Sequence, residues 1–179
     1  ALDLLPGIVP ITPAGATLQF GLETCAYDIL GRAAGQPIAA LLGGGPRPVR
    51  VNATIGVDSV AEAVSLARQA VDDGLDTVKL KVGASGPQED GALVRAVRGA
   101  VGSRLKLRAD ANQAWTVAQA VDVISRLEPL GLEYMEQPVP GVEGLAQVRR
   151  AVGVRIAADE SLAGPDDAQR LLDAGAADV

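Results

Sequence analysis

Four polar side chains interrupt otherwise apolar stretches of this sequence: Lys81 in DTVKLKVG, Asp110 in RLKLRADAN, Glu136 in LEYMEQPV and Asp159 in VRIAADES. They follow one another at intervals of 29, 26 and 23 residues. Any one of the acids could be an ordinary surface residue at a strand end, but three in phase with one repeat fit that reading poorly. Carboxylates brought together in a partly buried place repel one another unless positive charge lies among them. A divalent cation supplies that charge. An all-oxygen ligand set suits Mg²⁺ or Mn²⁺, with positions left for water and substrate oxygens. Lys79 and Lys81 are separated by one residue, so on a strand both point to the same face. Two ammonium groups side by side are expected to lower each other's pKa, which makes a lysine a usable base near neutral pH. An amine base beside such a cation suits removal of a proton α to a carboxylate, because the cation stabilises the enediolate that results.

The elements that must position these residues alternate between strand and helix. Strand-like runs occupy 49–56, 76–83, 104–112, 132–139 and 154–161, and helical patterns of crossover length lie between them. Ser59 with Glu62 and Thr116 with Gln119 have capping-box spacing. Val60, Val64, Ala67 and Val71 would form one apolar helix face. Alternation without hairpin turns predicts a parallel sheet with right-handed crossovers. A (β/α)₈ barrel of ~250 residues repeats every ~30 and builds its active site from the C-terminal ends of its strands. The expected fold class is therefore α/β, a partial (β/α) TIM-type barrel with about five to six strands present. Ahead of it, the stretch from Thr17 to Ala34 has apolar residues at helical spacing (Leu18, Leu22, Cys25, Ala26, Ile29) and is stopped by Gly35 and Pro37. The Gly- and Pro-rich LLGGGPRPV reads as a linker, with a boundary near Gly45 to Arg47.

Composition excludes several other chemistries. The chain of 179 residues has no histidine, which removes Ser-His-Asp, Cys-His and His-zinc sites. A single cysteine, Cys25, allows no internal disulfide and is expected to be an inert small hydrophobe. A formal net charge of -6 and 2% aromatic content argue against a nucleic-acid partner. No run approaches the ~18 apolar residues of a membrane span, and ALDLLPGIVP lacks the basic start of a signal peptide, so the cytosol is the expected compartment.

TVKLKVG, LRADANQAW, EYMEQPV and IAADES, in this order, resemble the enolase superfamily, muconate-lactonizing subgroup. FGLETCAYDILGRAAGQPIAALLGG resembles the last helix of that family's α+β capping domain. The resemblance implies a capping-domain remnant over 1–46 and the N-terminal portion of the barrel over 47–179. It implies that Asp110, Glu136 and Asp159 hold Mg²⁺, that Lys81 is the general base and that Lys79 tunes it. Asn112 and Glu160 are implied as supporting neighbours of the site.

FGLET and VNATI are most similar to o-succinylbenzoate synthases, which implies a carbon–oxygen lyase of menaquinone biosynthesis acting on a small anionic carboxylate. Dipeptide epimerases share the same ligands and lysines and, with other racemases or cycloisomerases of the subgroup, form the alternative. The family also carries a second catalytic lysine at the end of a sixth barrel strand, which should begin at AGAADV. The expectation is thus a barrel truncated at that strand: a portion of a longer enzyme, or an inactive fragment that keeps only a metal site.

Overall fold

Residues 13–57 and 59–179 are described by a computed structural model. The chain divides into two compact units, one ending at Arg50 and the other spanning Val51–Val179. In the first, helix α1 (Pro13–Ala34) is followed by the single turn α2 (Ile38–Leu41). Gly35 ends α1 in the left-handed conformation at φ 64°. The apolar stripe read from its spacing is open to solvent, with Leu18 56% and Ile29 66% exposed. Cys25 is exposed as well, not packed as a small hydrophobe. Within this unit α2 packs on α1 but is too short to cover the stripe.

The second unit is one parallel sheet in the order β1 (Ala53–Ile55), β2 (Thr77–Lys81), β3 (Lys106–Asp110), β4 (Leu132–Glu136) and β5 (Ile156–Ala157). The strands are shorter than the predicted runs, which also take in residues of the segments before and after them. Helices α3 (Val60–Asp72), α4 (Pro87–Val101), α5 (Val117–Leu127), α6 (Val142–Ala151) and α7 (Pro165–Ala174) alternate with the strands, and each packs against the next. A doubly wound sheet would reverse its strand order part-way, whereas this one adds each strand beside the last. That order makes it an arc of a (β/α) barrel.

Side-chain alternation agrees with this architecture. Val78, Leu80, Leu107, Ala109, Met135 and Ile156 are fully buried, as strand residues facing a helix layer should be. The intervening positions carry Lys79, Lys81, Arg108, Asp110, Tyr134 and Glu136, so the inner face is polar. After α7 the chain returns beside β5: the Asp178 N–H donates to Ile156 O at 2.7 Å and the Ala158 N–H to Val179 O at 3.1 Å.

The helix starts follow from local chemistry. Thr116 and Gln119 make both halves of a capping box at α5, while Ser59 only accepts from the Glu62 N–H at α3. Pro87 and Pro165 open α4 and α7, where a missing N–H is harmless. The buried face of α3 is Ala63, Ala67 and Ala70, with Val60 41% exposed, so it is turned from the expected valine face. Three alanines in line let the helix lie close to its neighbours, and Val64 and Val71 pack at the margins. Among the described residues, no helix is long and apolar enough to cross a membrane.

Candidate active site

Parallel register places the polar residues side by side. Lys79 is level with Arg108, Lys81 with Asp110, and Asp110 with Glu136. Asp159 stands in the bend just past β5. Carboxylate oxygens of Asp110, Glu136 and Asp159 lie within 4.8 Å of one another, the first buried, the second half-buried and the third exposed. The Lys79 ammonium lies 2.9 Å from Asp110 Oδ2 and 2.7 Å from Glu136 Oε1. Lys81 Nζ donates to the same Asp110 oxygen at 2.7 Å and to Asn112 Oδ1 at 2.8 Å. The Asn112 N–H donates to Asp110 Oδ1 at 3.0 Å, and Asn112 Nδ2 reaches Glu160 Oε1 at 3.0 Å. All seven residues singled out in the sequence therefore meet in one cluster.

Burial alone would push the Asp110 carboxyl upward. Hydrogen bonds from Lys79 and Lys81, and then from the Asn112 backbone, outweigh it and hold the carboxyl below its usual value. At Lys79 the structure corrects the expectation of mutually depressed lysines. Burial does disfavour its charge, but the ion pairs with Asp110 and Glu136 more than offset that, and the ammonium is held above the ordinary lysine value. Opposite charge at about 3 Å acts more strongly than a like charge two strand positions away.

The donor set fits a divalent cation. Asp110, Glu136, Asp159 and Glu160 bring four carboxylates against the two ammonium groups of Lys79 and Lys81, a surplus of two negative charges. The three clustered carboxylates offer only oxygen, which hard cations prefer.

Two residues outside the expected set shape the site. Gly83, at φ 96°, lies against the loop after β3: a Cβ there would fall 2.5 Å from Ala114 Cβ and 2.9 Å from Ala111 O. The glycine at the end of TVKLKVG signals such a close approach. Gln137, fully buried, is the other. Its signal is a polar residue that follows the clustered acid at once, where the strand ends.

A family model described as enolase C-terminal domain-like matches residues 62–179. The chain belongs to the enolase superfamily. Among its curated relatives in the superfamily, it is similar to the hydrophobic dipeptide epimerase of Enterococcus faecalis, with 41% identity over 179 residues that cover 99% of this chain and 49% of that protein. It is also similar to the o-succinylbenzoate synthase of Thermobifida fusca, with 47% identity over 142 residues, 76% of this chain and 44% of that protein. A solved superfamily structure, the dipeptide epimerase of Cytophaga hutchinsonii complexed with Mg and the dipeptide D-Ala-L-Val, aligns at a TM-score of 0.78 with 34% identity, covering 85% of this chain and 42% of that one. The chain spans about half the length of the curated relatives it matches.

Proposed function

We propose that this chain carries the ligand set and base of a Mg²⁺-dependent enzyme that removes a proton α to the carboxylate of a small substrate. The observation that carries the reading is the convergence of Asp110, Glu136 and Asp159 within 4.8 Å, with the Lys81 ammonium on the first of them. Mg²⁺ is the cation named with the similar Cytophaga hutchinsonii structure. Held by the three carboxylates, it supplies positive charge against the negative charge that develops on the substrate carboxylate. In its neutral amine form Lys81 takes the α proton at Nζ, and Asn112, bonded to that same atom, fixes its direction. Lys79 bridges Asp110 and Glu136 and keeps the two ligand strands in step.

For the overall reaction we take loss of water to give o-succinylbenzoate as the first reading, supported by the 47% identity to the Thermobifida fusca synthase. In that reaction Lys81 accepts the α proton and then returns a proton to the β-hydroxyl, which departs as water. Dipeptide epimerisation is the second reading, favoured by a relative similar over 99% of the chain. Incubation with Mg²⁺ in D₂O separates the two. Formation of o-succinylbenzoate from its cyclohexadiene precursor supports dehydration. Deuterium in recovered dipeptide supports epimerisation, and neither product rejects both.

A further inference from the structure

We infer that Gln137 is a positioning residue whose buried amide sets where Asp159 stands relative to Glu136. The inference rests on the reading of Asp110, Glu136 and Asp159 as cation ligands. Gln137 follows Glu136 directly, just past the end of β4, and its side chain reaches the loop after β5. It is fully buried there, where each unmet amide donor or acceptor would be costly.

All four of its hydrogen-bonding capacities are met. Nε2 donates to Val139 O at 2.9 Å and to Ser161 Oγ at 2.7 Å. Oε1 accepts the N–H of Asp159 at 2.9 Å and that of Ser161 at 3.1 Å. Three of the four bonds thus go to the loop after β5.

The reason that loop needs a clamp lies in the ladder. The β4–β5 pairing consists of Met135 with Ile156 and Glu136 with Ala157, and it ends two residues short of Asp159. The Gln137 N–H still reaches Ala157 O at 2.9 Å, after which the side-chain amide takes over as the next rung. Gln137 itself sits at φ 35°, a left-handed backbone that non-glycine residues seldom adopt. Retaining a long polar side chain at such a position, rather than glycine, is explained if the side chain is what the site requires.

The test is amide hydrogen exchange together with calorimetric titration of Mg²⁺ alone, on the full chain and on its Gln137→Gly and Gln137→Met variants. Glycine keeps the left-handed backbone and deletes the amide, while methionine keeps bulk and deletes the hydrogen bonds. In both variants the Asp159 and Ser161 amides should exchange at least about tenfold faster, with those of β2 and β3 unchanged. Mg²⁺ affinity should fall about 10- to 100-fold, as for other groups that orient metal ligands. Unaltered exchange at residues 159 and 161 overturns the inference, and so does faster exchange with unaltered affinity. Should the unsubstituted chain take up no Mg²⁺, the ligand reading falls on its own, and exchange at those two amides still decides whether Gln137 places Asp159. If neither variant folds, unprotected Asp159 and Ser161 amides in the unsubstituted chain refute it.

Discussion

The inner face of the sheet carries two charged clusters on the same strands. Near the start of β3, Lys106 and Arg108 share the carboxylate of Glu133, at 3.1 and 2.6 Å, and Arg108 also donates to Asn52 Oδ1 and lies over the Tyr134 ring. At the end of β3, Asp110 is shared by Lys79 and Lys81. In the first cluster two cations face Glu133 and, acting on Arg108 as well, Asp76, and the strands shift register between Leu107 and Arg108, so that Glu133 is the extra residue of a bulge. In the second, carboxylates are in surplus and the strands stay level. Both are ion-paired and partly buried, so neither pairing nor burial distinguishes a site from a strut. The difference lies in the surplus of negative charge and in the ladder that keeps the acids abreast.

The sharpest way to break this contrast is Lys81→Ala. It should slow proton exchange at the substrate α carbon about 10²- to 10⁴-fold, the usual contribution of a positioned base, while Mg²⁺ still binds. Deuterium incorporation and calorimetry read the two separately. Asp110→Asn should lower Mg²⁺ affinity by at least about 100-fold. It should also destabilise the fold by ~3 kcal/mol in urea titrations, because two ammonium groups lose a fully buried partner. Arg108→Met, in the other cluster, should cost about 2 kcal/mol for its lost charged hydrogen bonds and leave Mg²⁺ affinity unchanged. A fall in affinity there would mean that the two clusters act as one.

A pH experiment sharpens the contrast further. The Arg108 guanidinium, with Lys106 adding to it and burial opposing, holds the Glu133 carboxyl below its ordinary value of 4.5. A depressed folded-state pKa stabilises fully above the unfolded value, and that stabilisation disappears as pH falls through the folded value. Thermal melts should therefore lose stability on acidification below about pH 4.5, and Glu133→Gln should flatten that limb. The smallest effect belongs to Asp122→Ala. Its exposed pair with Arg126 one turn along α5 should change stability by less than about 0.5 kcal/mol.

The candidate site was legible because its acids and lysines fall within or just beyond apolar strands, and because their spacing matches a barrel repeat. Strand order followed from the same repeat. The rest depended on partners distant in sequence. The charge of Lys79 is set by Asp110 and Glu136, on two other strands. The role of Gln137 depends on a loop 22 to 24 residues away. The buried face of α3 differs from the expected one because apolar size points to the valines, whereas close packing selects Ala63, Ala67 and Ala70. In α1 the periodicity gave the helix correctly, but periodicity alone does not say whether a stripe is covered.

Gly83 has a consequence for how such a protein can change. Because a single methyl there would strike Ala114 and the Ala111 carbonyl, the turn after β2 and the turn after β3 cannot diversify independently. Any bulkier residue at 83 would displace the segment that presents Asn112 to Lys81. New substrate preferences are therefore easier to reach by altering other loops around the mouth, leaving this corner a fixed point of the architecture while its surroundings vary.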